Sequence, residues 1–145
     1  MDTQDIQSIE LEYLQLSDYQ ALKTAMISAY PSMPDAYWKE AHIAALIQRF
    51  PEGQVVLKIN GALAGCALSI RVNESVANKP HSYEDITGQY TFSTHEDQGD
   101  LLYGIDVFIK PEYRGLRLGR RLYDYRKELC EKLNLKGIVF GGRIP

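Results

Sequence analysis

Residues 105–129 read IDVFIKPEYRGLRLGRRLYDYRKEL, and this stretch decides the fold. It begins inside an apolar run, Leu101 to Ile109, which reads as a buried strand. Pro111 and Glu112 open a turn. Leu118, Leu122, Tyr125 and Leu129 then recur at helical spacing and predict a helix from about Leu118 to Leu133. Between strand and helix lies Arg114-Gly115-Leu116-Arg117-Leu118-Gly119-Arg120-Arg121. A helix N-terminus offers backbone N–H groups without intrahelical partners and the positive end of the helix dipole. Gly115 and Gly119 permit close approach of a ligand to the backbone. With four arginines in eight residues, such a nest suits a pyrophosphate or several phosphates. It has neither the Lys-Ser/Thr ending of a nucleoside-triphosphate P-loop nor the glycine spacing of a dinucleotide fold. The plainer reading is a basic, solvated helix start.

Downstream, Gly137 to Phe140 reads as a short strand, so strand, helix and strand predict a right-handed parallel unit. Upstream, Ser8 to Gln15 alternates as a half-buried strand. Ser17 with Gln20 reads as a capping box opening a helix that carries Tyr19, Leu22, Met26 and Tyr30 and stops at Pro31. A second helix is expected from near Pro34 or Asp35 to Phe50, burying Ile43, Leu46, Ile47 and Phe50. Val55 to Ile59, Asn60-Gly61 and Ala62 to Ile70 form a hairpin signal, since Asn-Gly supplies the positive φ angles of a tight turn. Val72 to Gly99 is long, polar and weakly periodic, a functional loop or a solvated insertion, with a short strand expected near Tyr90 to Phe92. The fold class that follows is α/β (α+β), a mixed central sheet flanked by helices, in one domain over residues 1–145.

Composition narrows the function. The 145 residues are 45% hydrophobic and 24% charged, which argues against a disordered chain. No run reaches the roughly 18 apolar residues of a membrane span, and Asp2, Thr3, Gln4 and Asp5 follow Met1 directly, unlike a signal peptide. A cytoplasmic protein without a membrane partner is expected. Cys66 and Cys130 are too few for a disulfide framework or a four-cysteine zinc site and are expected to be reduced, buried and inert; no metal is expected. The net charge of −3 is uneven: residues 1–105 hold 6 Lys/Arg against 14 Asp/Glu, and residues 106–145 hold 10 against 5. A basic end on an acidic chain fits a local anionic ligand better than a nucleic acid.

The stretch 105–129 resembles the acetyl-CoA motif of GNAT-type N-acetyltransferases, Arg/Gln-x-x-Gly-x-Gly/Ala, with Arg114 at its first position and Gly119 at its last. Arg117 stands where the motif has its middle glycine; with an ordinary φ angle it can still lend its N–H, and its side chain can add a phosphate contact. Residues 83–108 and 114–145 also resemble a bacterial subgroup in which the acetyltransferase domain precedes a carbon–nitrogen hydrolase domain of the nitrilase superfamily.

The resemblance implies the acyl-CoA N-acyltransferase fold and acetyl-CoA as cosubstrate. The strand at Val107, Phe108 and Ile109 would splay from its parallel neighbour and receive the pantetheine arm. Arg114, Gly115, Leu116, Arg117, Leu118, Gly119 and Arg120 would hold the pyrophosphate. A primary amine, on a small molecule or a protein, would attack the thioester directly once a base has removed its proton. Family bases project from this strand at the positions of Ile105, which cannot act, and Tyr103, which can orient the amine or work through water. Asp106 is expected on the opposite face, in a structural role. The loop offers His95, Glu84, Glu96 and Asp97; His95 has the best ordinary pKa for a base, against a plain surface histidine as the alternative. His42 and His81 have no evident partner, Trp38 reads as a packing residue, and Tyr123 and Tyr125 read as helix-surface and helix-core tyrosines. A complete family domain continues with a helix, which carries a tyrosine that protonates the departing thiolate, and two more strands. The chain is therefore expected to be a C-terminally shortened domain whose strand near Val139 is an open edge, suited to a homodimer. The alternative function is a non-catalytic coenzyme A-binding or sensing module of a larger hydrolase protein.

Overall fold

The computed structural model describes residues 6–32, 35, 37–77, 88 and 91–140. Five strands, β1 (Ile9–Tyr13), β2 (Val55–Ile59), β3 (Ala62–Val72), β4 (Leu101–Ile109) and β5 (Gly137–Phe140), form one sheet in chain order. The pairings of β1 with β2, β2 with β3 and β3 with β4 are antiparallel, while β4 and β5 run parallel. The crossover between β4 and β5 is α4 (Leu118–Lys132). The mixed sheet expected from the sequence is therefore present.

Helices α1 (Tyr19–Ala29) and α2 (Glu40–Arg49) cover one face. On α1, Tyr19, Leu22, Ala25, Met26 and Ala29 are buried, the spacing of one helical stripe. They meet Cys66, Leu68 and Ile70 of β3 and Tyr103, Ile105 and Phe108 of β4. The opposite face packs Val55, Leu57, Ile59 and Ala67 against Leu118 and Leu122 of α4. Buried on both faces, β3 is a nearly unbroken apolar run. Asn60 and Gly61 turn the β2–β3 hairpin with φ angles of 51° and 83°, the geometry their sequence demands.

Four local expectations are corrected. Helix α1 is entered through a 3₁₀ turn over Leu16–Asp18 rather than capped by Ser17: the Asp18 carboxylate accepts the Gln15 N–H at 2.9 Å, so the turn begins two residues earlier. Helix α2 begins at Glu40, because Lys39 is extended and donates its N–H to His42 Nδ1 at 3.1 Å. His42 thus closes the helix start, the partner its sequence did not reveal. No strand forms at Thr91 and Phe92: Thr91 lies in a turn and Phe92 is buried with φ at 58°, while Tyr90 lies outside the described residues. The long connection is not a plain solvated insertion over its described part. A short helix, α3 (Glu74–Ala77), follows β3, and the return segment is pinned where Arg71 donates its guanidinium to Gly99 O and accepts the Glu96 N–H on its own carbonyl.

The feature that shapes the site is an irregularity in β4. Leu68 of β3 faces Asp106, yet Ser69 faces Gly104, so Ile105 is an extra residue. Such a bulge disrupts the ladder and bends the strand. It also shifts the alternation: Tyr103 and Ile105, and then Asp106 and Phe108, all address the α1–α2 side. Asp106 is accordingly on the same face as Tyr103, not the opposite one. Parallel β5 pairs only with Leu101 to Gly104. Among the described residues, no strand pairs with β4 on that side from Ile105 to Ile109.

Candidate functional site

Beside this unpaired half of β4 lies a pocket of about 390 Å³. Val107, Phe108 and Ile109 form its strand wall. Arg114, Gly119, Tyr123 and Arg126 form the other. Val107 and Ile109 face the α4 side of the sheet, where the bulge has set them, while Phe108 reaches the opposite cluster and meets Tyr30 edge to face at 6.1 Å. The pocket is thus an apolar slot that ends at the N-terminus of α4.

The chain enters α4 through two left-handed turns. Gly115 has φ of 91° and Arg117, the residue before the helix, has φ of 58° and ψ of 29°. Arg117 therefore does not have the ordinary φ expected of it; it adopts the conformation that glycine takes most easily, at about 1 kcal/mol of local strain. This conformation points the first helical amides outward without an intrahelical partner. A Cβ added at Gly119 would meet nothing within 4 Å, so the groove is open over that backbone. Arg114, Arg117 and Arg120 are exposed, and Arg114 leans on the end of α1 with Nη2 3.4 Å from the Ala29 carbonyl. An apolar slot leading to a helix N-terminus ringed by arginines has the chemistry to receive a ligand that is apolar along its length and anionic at one end.

Arg126 and Tyr123 enter this wall without having been read as site residues. The signal was available: positions 119, 123 and 126 are spaced four and three apart and share one helix face. Arg126 is only 3% exposed, and its Nη2 donates to Leu68 O at 2.8 Å and Asp106 O at 3.0 Å. Burial pushes its pKa down to about 10, so it stays charged at neutral pH. On the far side of the strand, the Asp106 carboxylate accepts the Tyr30 hydroxyl at 2.9 Å and the Trp38 indole N–H at 3.1 Å. Trp38 is 3% exposed, a packing residue with a polar anchor.

The structure does not bring the candidate bases together. Tyr103 is buried among the α1–α2 cluster, and burial pushes its phenol above the usual tyrosine range. His95 is not a surface histidine: its side chain is 3% exposed and stacks on Phe50 at 4.9 Å. Phe50 belongs with Leu102 and Leu129, on the face away from Tyr103. His95 Nδ1 accepts the Arg71 N–H at 3.0 Å, so the neutral ring carries its proton on Nε2, which faces Asp97 Oδ1 at 3.0 Å. Burial, the largest cause, lowers its pKa further. Glu96 and Asp97 are exposed, and Glu84 and His81 lie outside the described residues. Cys66 and Cys130 are buried and their thiols are held above the usual range, chiefly by that burial.

Comparison with known proteins completes the picture. Residues 17–142 match the sequence profile of the Acetyltransferase (GNAT) family. The chain is 39% identical over 108 residues to the probable hydrolase YhcX of Bacillus subtilis (strain 168), a match covering 74% of this chain and 21% of that protein. It is 31% identical over 115 residues to the uncharacterized N-acetyltransferase YkwB of the same organism, covering 79% of this chain and 51% of that one. The chain thus spans about a fifth and about half of these relatives. Among solved structures, the loading GNATL domain of CurA from Lyngbya majuscula superposes with a TM-score of 0.72 at 18% identity, over 86% of this chain and 59% of that one. A ribosomal-protein-alanine N-acetyltransferase from Brucella melitensis biovar Abortus 2308 gives 0.60 at 16% identity, over 95% and 83%. No helix among the described residues is long and apolar enough to cross a membrane. The sheet with its interrupted β4, the slot ending at a basic helix start and the matched profile lead to one conclusion: the chain belongs to the acetyltransferase (GNAT) family.

Proposed function

We propose that this chain is an N-acetyltransferase that passes the acetyl group of acetyl-CoA to a primary amine by direct attack. One observation carries the reading: the pocket beside Val107, Phe108 and Ile109 ends on Arg114 and Gly119 at the start of α4. The slot excludes water from the thioester and sets its carbonyl against the backbone of β4, where an N–H can polarise it. The cradle of residues 114–120 binds the phosphates and so fixes how deep the thioester sits. The amine nitrogen attacks the thioester carbon, and water takes the surplus proton where no side chain does. Tyr103, buried and with its pKa raised, is ill-suited to deprotonate that amine. The match to a much longer protein named as a hydrolase supports a place for this unit beside a hydrolase unit.

A second reading has its own support. Ile105 has no titratable group, Tyr103 is raised, and His95 has its lone pair committed to Arg71. Such a site suits a module that binds coenzyme A without catalysing transfer. The test is calorimetric titration with acetyl-CoA, followed by a thiol-release assay against a panel of amines. Binding with amine-dependent thiol release supports the enzyme. Binding with no release from any amine supports the module. Absence of binding overturns both.

A further inference from the structure

We propose that Arg126 is a catalytic residue of this site, the fixed positive charge that receives the thiolate leaving the acetyl group. The inference rests on the acetyl-CoA reading above and adds to it a residue for the leaving group.

Three observations place Arg126 there. It lines the slot with Val107 and Phe108 on one side and Gly119 and Tyr123 on its own helix. It is anchored at the bulge, through Nη2 to the carbonyls of Leu68 and Asp106, where the antiparallel ladder slips by one residue. Its depth also matches the ligand. Eight residues separate Leu118 from Arg126, a rise of about 12 Å along α4. The pantetheine chain from pyrophosphate oxygen to sulfur has the covalent length of roughly four extended residues, about 13–14 Å. An arm anchored by its phosphates at the helix start therefore brings its sulfur to the level of Arg126.

The chemistry at that level is balanced simply. The amine nitrogen bonds to the thioester carbon, the carbon–sulfur bond breaks with its electron pair on sulfur, and the surplus amine proton passes to water. Negative charge develops on sulfur as the bond breaks, and a buried guanidinium favours it more than a hydrated cation would. The alternative role of Arg126, filling the broken ladder of the bulge, is fully compatible: the same two carbonyls that it satisfies are what hold the charge still.

The prediction concerns the product thiol. If Arg126 stabilises a thiolate, bound coenzyme A loses its thiol proton at lower pH than free coenzyme A. The groups facing Arg126 are Cys66 on β3, Asp106 on β4 and Cys130 on α4, with Arg114 and Tyr123 along the same wall. All of them act equally on acetyl-CoA, which has no thiol and serves as the control. Calorimetric titrations of wild type with both ligands, from about pH 6 to pH 9, isolate the thiol. Coenzyme A is expected to tighten by about five-fold or more over that range relative to acetyl-CoA, with thiolate ultraviolet absorbance appearing in the complex. Arg126→Lys should retain part of this difference and Arg126→Gln should lose it.

Equal pH dependence of the two ligands in wild type overturns the proposal while leaving the acetyl-CoA reading intact, whether or not either variant folds. A folded Arg126→Gln protein that keeps the difference also overturns it, by assigning the effect to another cation. No binding of either ligand removes the acetyl-CoA reading and this inference with it.

Discussion

Trp38 donates its indole N–H to Asp106 Oδ2 at 3.1 Å, across 68 positions of sequence and with both residues almost wholly buried. The bond ties the segment before α2 to the bulged strand, and Tyr30 at the end of α1 takes the other carboxylate oxygen. Removing a donor from a buried carboxylate leaves an acceptor without its hydrogen bond. Trp38→Phe should therefore lower stability by about 1–3 kcal/mol, and Asp106→Asn should do at least as much, because its amide N–H₂ opposes a donor at one oxygen position. Urea unfolding measures both. A change within experimental scatter for both variants would show that this bond does not anchor the α1–α2 segment.

Arg117 separates a backbone effect from a charge effect. Its left-handed φ of 58° favours glycine, so Arg117→Gly should be more stable than Arg117→Ala by about 1 kcal/mol. Both should weaken coenzyme A binding alike, since both remove the guanidinium. Arg114→Ala with Arg117→Ala should weaken it about ten-fold or more at low salt, and the loss should shrink as ionic strength rises. Equal stability of the glycine and alanine variants would contradict the strain assigned to this position.

Gly119 gives the opposite pattern, a substitution that the fold accepts and the ligand does not. Its φ is ordinary and a Cβ there meets open space. Gly119→Ala should leave the melting temperature unchanged or raise stability by up to about 1 kcal/mol through helix propensity. The same methyl group stands in the slot and should weaken acetyl-CoA binding about ten-fold or more. Undiminished affinity would move the ligand off this backbone.

His95 makes stability depend on pH. Its pKa is lowered in the folded protein, so the unfolded chain binds its proton first as pH falls. The contribution is complete above the ordinary histidine value of about 6.5 and is lost as pH drops from there through the folded value. His95→Asn keeps an acceptor for the Arg71 N–H and removes the titration. Melting temperatures between about pH 8 and pH 5 should fall less steeply in that variant. Acetyl transfer should survive the substitution within about three-fold; a loss near a hundred-fold would restore His95 as the base.

The elements were legible in the sequence wherever a single physical signal dominated. Asn60-Gly61 named its turn, the apolar run of β4 its strand, and the spacing of Leu118, Leu122 and Leu129 its helix. The glycines and arginines of residues 114–120 stood out for the same reason, and Arg114 and Gly119 do line the slot. What escaped depends on contacts distant in sequence. Asp106 was misplaced because an alternating strand predicts its face by counting, and one extra residue upsets the count. His95 was misread because nothing near it in sequence announces that Phe50 covers it and Arg71 holds it. Arg126 was passed over because an arginine on a helix resembles any other solvated cation until the strand beneath it is known.

The extra residue at Ile105 also divides β4 into two reading frames. Before it, odd-numbered side chains face α1 and α2; after it, even-numbered ones do. The first half of the strand therefore serves the pairing with β5, and the second half turns Val107 and Ile109 into the slot. Deleting Ile105 would remove the extra residue and make the strand regular, with Val107 and Ile109 still on the α4 side. What the deletion would take away is the local bend that the extra residue gives β4 beside the slot, so a more regular ladder would carry a differently shaped site.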